Sequence, residues 1–157
     1  MKKSICVCLA FCMLFSLTGC SNVVGGAFFL LLAATTDDSA NKEDVFEFVC
    51  EEKEALLKAI EDGDFSAFKN KGFIKSIDAD TDVVDFSCGG SGVGSGTSYV
   101  GFYYTPGNDM TAVWCAPSSA GSLTPSGKGF EWRETNGDNW YYTEHICGNF
   151  YYYEASF

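Results

Sequence analysis

Every tyrosine and tryptophan of this 157-residue chain lies between Tyr99 and Tyr153, and 16 of its 25 aromatic residues fall in residues 86–157. Aromatic side chains fit the half-buried surface of a pleated sheet, so the C-terminal half predicts strands. Charge is distributed the other way. Residues 37–85 carry a net charge of −9 and residues 86–157 only −4, within an overall −11. The division predicts an acidic helical part attached to a weakly charged aromatic sheet. So acidic a chain lacks the Lys and Arg clusters that neutralise phosphates, so nucleic acid is not an expected partner. Its aromatic content argues equally against wholesale disorder.

In the acidic part, Val45, Phe48, Val49, Leu56 and Ile60 recur near the 3.6-residue period, while Glu51, Glu52, Lys53 and Lys58 cover the wet face. A helix is predicted from Asp44 to Ile60, capped by Asp44 with Glu47 three residues on and ended by Asp62-Gly63-Asp64. A shorter second helix is expected from Asp64 to a stop at Gly72, with Phe65 and Phe68 on one side. Strands are expected near 83–88, 98–105, 110–116, 129–135, 139–146 and 150–156. Pro106-Gly107 suits a type II turn, Asn136-Gly137 a tight hairpin, and Cys147-Gly148-Asn149 the last connection. Residues 89–97 and 117–128 read as loops. The two stretches GFYYTPGND and GFEWRETNGDN, each followed by a strand ending in cysteine, echo one another as hairpins do. The expected architecture is α+β: one or two N-terminal helices packed on a four- to six-stranded antiparallel meander, forming a single domain over residues 44–157.

The N-terminus has its own grammar. Met1-Lys2-Lys3 precedes an apolar run from Ile5 to Leu17, which is the pattern of a secretory signal. Leu17-Thr18-Gly19-Cys20 then resembles the lipobox of bacterial lipoproteins. The resemblance covers residues 1–20 and implies cleavage after residue 19, a lipid on Cys20 and a membrane-anchored, extracytoplasmic chain of the cell envelope. Cleavage would remove Lys2 and Lys3 and no acid, deepening the net charge to −13. Residues 20–43 would then comprise the lipidated terminus, an apolar segment and a polar linker. The apolar segment, residues 23–34, spans about 18 Å as a helix, short of a hydrocarbon core of roughly 30 Å. It is expected at the membrane surface or as the first element of the domain. Joined to the signal it would make one uncleaved stretch from Ser4 to Ala34, and cleavage after Ala34 is a further alternative, poorly matched by Leu32.

Of eight cysteines, Cys6, Cys8 and Cys12 belong to the signal and Cys20 to the lipid, leaving Cys50, Cys88, Cys115 and Cys147. An even number in an exported chain predicts two disulfides. Their wide separations are unlike the close pairs of zinc or redox sites. In a simple meander Cys88, Cys115 and Cys147 fall at one end of the sheet, favouring Cys50–Cys88 and Cys115–Cys147 among three connectivities.

No catalytic set assembles from the sequence. His145 is the only histidine, its neighbour Glu144 points to the other face of a strand, and no Gly-x-Ser-x-Gly elbow is present. Asp78, Asp80 and Asp82, with Asp85 nearby, imitate the start of a calcium loop. Val83 and Gly89 stand where it needs glycine and glutamate, so a solvated acidic turn is expected. The run GGSGVGSG at 89–96 lacks the Lys-Ser/Thr of a phosphate loop and reads as a flexible loop. No cofactor and no metal centre is predicted. The aromatics are the functional lead. By alternation Trp140, Tyr142, Phe150 and Tyr152 form one candidate binding surface, and Tyr141, Tyr151 and Tyr153 the opposite set. One face is expected against the helices; the other needs a second layer, for which residues 23–34 are available. The expected function is a non-enzymatic envelope lipoprotein that binds a protein or other macromolecular partner through an aromatic sheet face. A carbohydrate-binding surface module and a secreted enzyme are the alternatives.

Overall fold

In the computed structural model, which describes residues 40–69, 71–79, 81–92 and 96–157, the chain enters its first helix at Asn41. The expected signal sequence, Cys20, the apolar run 23–34 and residues 35–39 lie outside the described residues. The Asn41 side chain accepts a hydrogen bond from Glu43 N at 3.2 Å and so caps helix α1 (Lys42–Glu51), three residues ahead of the expected cap Asp44. One helix to Ile60 is not what forms. Glu52 leaves helical geometry at φ −93°, ψ 8°, and α2 (Lys53–Asp62) follows. Glu52 N still bonds Phe48 O and Leu56 N bonds Glu52 O, so this is a bend rather than a loop. Its carboxylate is drawn aside to Lys71 at 2.6 Å. Gly63 ends α2 at φ +67°, a conformation glycine adopts without penalty. The expected helix after Asp64 is a set of turns. Asp64 accepts from Ser66 N, and Phe65 and Phe68 carbonyls close short rings that bury Phe68 without building a helix.

Seven strands follow: β1 (Ser76–Asp78), β2 (Val84–Ser91), β3 (Ser98–Tyr104), β4 (Thr124–Ser126), β5 (Gly129–Arg133), β6 (Trp140–Cys147) and β7 (Phe150–Ser156). They form one sheet in the order β1-β2-β3-β7-β6-β5-β4, every pair antiparallel. The expected four- to six-stranded meander is therefore overturned. Two meanders, β1–β3 and β4–β7, meet where β3 pairs with β7. Burial explains the order. Phe150, Tyr151, Tyr152 and Tyr153 are successive residues and all are buried, which a strand achieves only when both its faces are covered. A simple meander would leave this strand at an edge.

Both faces are in fact covered. On one, Val45, Val49 and Leu56 from the helices and Phe68 from the turns meet Val84, Phe86, Phe102, Phe150 and Tyr152 of the sheet. Phe86 and Phe102, register partners across β2 and β3, stack at 4.5 Å and 6°. On the other face Tyr103, Tyr141, Tyr151 and Tyr153 lie under a segment that runs from β3 to β4 and contributes Met110, Val113, Cys115 and Leu123. This segment is the second layer among the described residues; residues 23–34 lie outside them. The expected strand at 110–116 is absent; Ala112 N to Asp109 O and Ala116 N to Val113 O make it a chain of turns.

A covering segment without strands brings unpaired backbone groups into the interior, and the sheet supplies their partners. Met110 O accepts the hydroxyls of both Tyr103 and Tyr141 at 2.9 Å, and Tyr103 also meets Thr143 Oγ1 at 3.2 Å. Burial drives both phenol pKa values upward, that of Tyr103 to about 12. The phenols therefore remain protonated donors. Either Tyr103→Phe or Tyr141→Phe alone is expected to cost about 1 kcal/mol, because Met110 O keeps one donor. The double variant is expected to lose more than the sum by about 1 kcal/mol, leaving that carbonyl bare. A double-mutant cycle by urea denaturation reads the coupling, and strict additivity would contradict it.

The two expected disulfides are also overturned. Cys50, Cys88, Cys115 and Cys147 are all free thiols, and the closest pair is 3.5 Å apart without a bond. The sheet itself separates Cys115 from Cys147, which packs on the helix side together with Cys88. Cys88 is buried beneath the helices and Cys115 beneath the covering segment, on opposite faces of the sheet. Among the described residues no helix is long and apolar enough to cross a membrane.

Candidate functional site

The four residues proposed as one binding surface separate. Phe150 and Tyr152 are buried core beneath the helices. Tyr142 and Trp140 are half-buried at the margin of that layer, each lining a different depression. Alternation placed all four on one face correctly, but the helices cover most of it. The opposite set, Tyr141, Tyr151 and Tyr153, is buried under the covering segment.

Tyr142 lines an open cleft of about 460 Å³ with Lys42, Glu43, Phe46, Lys128 and Glu144. Three of its polar groups are already engaged with one another. Lys42 Nζ reaches Glu144 Oε2 at 2.5 Å and Tyr142 OH at 3.2 Å, and Tyr142 OH donates to Glu144 Oε2 at 2.6 Å. The ammonium also lies 4.6 Å from the Tyr142 ring centroid and 5.4 Å from that of Tyr152. Burial disfavours the charged ammonium, yet the bonds from Glu144 and Tyr142 outweigh it and hold Lys42 above its ordinary pKa. Glu144 ends below the usual carboxylate range because Lys42 and Tyr142 outweigh its own desolvation. The cluster ties the start of α1 to β6. Trp140 faces a groove of about 330 Å³ beside Ala40, Tyr99 and Glu154, with the Arg133 guanidinium 5.7 Å over its ring.

The feature that sequence reading missed is Trp114. It stands on the covering segment with its side chain 60% exposed, the one large hydrophobic residue so exposed among the described residues. Its indole is not loose. Nε1 donates to Asp85 Oδ2 at 3.0 Å, and the ring packs on Tyr99 at 5.2 Å and on Phe157 at 6.1 Å. Phe157 is itself held by two backbone hydrogen bonds to Thr97. Thus β2, β3 and the chain end of β7 jointly fix an aromatic ring that faces solvent. Residues 105–127 contain a single charge, Asp109, whose side chain turns the segment by accepting from Thr111 N at 2.8 Å. A long uncharged stretch around a tryptophan was the available sequence signal. Reading residues 110–116 as a strand concealed it.

Asp85 beneath Trp114 is mostly buried. Oδ2 also receives Tyr153 OH at 3.4 Å, while Oδ1 is buried with no partner. Burial pushes its pKa up to about 6, opposed by the Tyr153 and Trp114 bonds and reinforced by Asp78, its register partner on β1. Asp80 lies outside the described residues, Asp82 is exposed, and no group of three or more ligating side chains gathers among the described residues. His145 is exposed, bonds Gly148 O at 2.8 Å and rests on Tyr151. Of the glycine-rich run, Gly89 and Gly90 belong to β2 and residues 93–95 lie outside the described residues. The molecule is thus a largely β-sheet fold with surface aromatic clusters and no metal-ligand cluster among the described residues.

No protein family, curated protein or solved structure matches this chain.

Proposed function

We propose that this chain is a non-enzymatic lipoprotein of the bacterial cell envelope, anchored through Cys20, which binds a protein partner through the aromatic cluster around Trp114. The exposure of Trp114 in a fixed orientation carries the reading. An aromatic ring already immobilised loses little conformational entropy on binding, and tryptophan dominates interface energetics for its area. The charge of −13 left after cleavage selects a partner whose contact surface bears Lys or Arg, which stack on an indole face.

The test uses the full chain in its own membrane. A photo-crosslinkable residue replacing the half-buried Ala116 is expected to trap one discrete protein species. Trp114→Ser is expected to reduce that product at least ~10-fold, as loss of a binding hot spot of about 2 kcal/mol would. Added salt should also weaken it. A product indifferent to Trp114→Ser, or none, would remove the binding surface. Mass spectrometry of the amino-terminal peptide tests the anchor separately. A peptide beginning at an acylated Cys20 supports it, and an unmodified Lys2–Cys20 peptide sinks it.

A further inference from the structure

Helix α1 and the end of β6 bring Cys50 and Cys147 together from positions 97 residues apart in the chain. Both are thiols. Cys50 neighbours Cys147 closely enough to raise its pKa, and no two cysteines of the described residues are closer than 3.5 Å. Cys50 is exposed and Cys147 half-buried, so the pair opens to solvent, unlike buried Cys88 and Cys115. A register shift between His145 and Cys147 re-aims the cysteine at the strand end, and Gly148 follows at φ +58°. The glycine lets Lys53 lie across the turn, with Cε only 3.1 Å from where a Cβ would stand.

We infer that Cys50 and Cys147 form a surface site for a soft monovalent cation, Cu(I), with Lys53 as its charge partner. Thiolates select soft ions, and the number of ligands narrows the choice. Zinc takes four ligands in a closed site, whereas no third His, Cys, Asp or Glu completes this pair among the described residues. Two thiolates suffice for Cu(I). Binding exchanges protons without redox change: two S–H bonds break, two S–Cu bonds form, and two protons leave to solvent. The resulting bis-thiolate complex carries one negative charge, which the Lys53 ammonium faces. Metal–sulfur bonds of about 2.3 Å place two sulfurs of a linear site about 4.6 Å apart, so the pair must open by about 1 Å. Exposed Cys50 has the room to do it. Burial and the neighbouring Cys50 raise the Cys147 pKa to about 11, while Lys53 opposes the rise. Binding is therefore a competition with protons and weakens as pH falls.

The experiment is an anaerobic titration of the reduced full chain with Cu(I) held by a chromophoric competitor. One equivalent is expected to transfer to the protein. Cys50→Ser and Cys147→Ser are each expected to weaken binding at least ~100-fold, and Lys53→Met ~3- to 10-fold. Circular dichroism confirms that the variants fold, and exposed Cys50 is the safer substitution. Cu(I) retention equal in Cys50→Ser and the unaltered chain overturns the inference. So does a native mass showing Cys50 and Cys147 joined to each other. Neither result bears on the Trp114 surface.

Discussion

Gly101→Ala is expected to cost about 3 kcal/mol of stability, at the upper end of what forced overpacking does. A Cβ at this position would stand 2.6 Å from the Phe86 carbonyl oxygen and 2.7 Å from Cε1 and Cζ of Tyr153. Tyr153 is the register partner of Gly101 on β7, and its ring crosses the bare backbone of β3 to reach Asp85 on β2. The glycine thus forms the floor on which an aromatic from the neighbouring strand lies, an arrangement that restores the packing a glycine otherwise forfeits. Alanine must displace both a backbone carbonyl held in the β2–β3 ladder and a ring that is 1% exposed. Chemical denaturation at constant pH measures the loss. Adding Tyr153→Leu is expected to recover only part of it, since the Phe86 oxygen remains. A loss below about 0.5 kcal/mol would show that the sheet accommodates the methyl freely.

The same ring illustrates what sequence does and does not disclose. The aromatic composition of FYYYEAS marks β7 as a strand, and the parity of Phe150 and Tyr152 against Tyr151 and Tyr153 is legible from the residues alone. What covers each side of the sheet is not, because that depends on segments far away in sequence. Residues 113 and 115 bury alternately, as strand residues do, yet their backbone turns at every step and bonds locally. Alternating burial reports a covered surface below the segment. It does not distinguish an added strand from a strap laid across one.

Strand order was hidden for a related reason. Hairpin grammar identifies neighbours joined by short turns, such as β6 and β7, whereas the β3–β7 pairing joins residues some fifty apart and leaves no local mark. The cysteine positions were equally ambiguous. Placing Cys88, Cys115 and Cys147 at one rim assumed the meander, and with β7 at the centre of the sheet the thiols scatter to both faces and one margin. Trp114 inherits its exposure from the strap rather than from any strand, which is why a surface built on sheet alternation passed over it.

Asp85→Asn is expected to remove a pH dependence of about 3 kcal/mol, the difference between a carboxyl near 6 in the folded chain and 3.8 in the unfolded one. Because burial raises the folded value, the native state binds the proton more tightly than the unfolded state. The contribution is fully present below the unfolded pKa and is lost as pH rises through 6. Stability should therefore increase on acidification from pH 7.5 toward 4.5. Only at lower pH should Glu144, whose folded pKa is depressed, reverse the trend as it protonates and releases Lys42. Asparagine keeps an oxygen to accept from Trp114 and Tyr153, so the strap stays attached, but its buried amide hydrogens take the place of unpartnered Oδ1. That exchange offsets part of the relief, leaving a gain of about 1 kcal/mol at pH 7.5 and a loss of similar size at pH 4.5. The curves for the two proteins should cross between about pH 5 and 6 in denaturant titrations. Parallel curves would mean that Asp85 does not hold a proton in the fold.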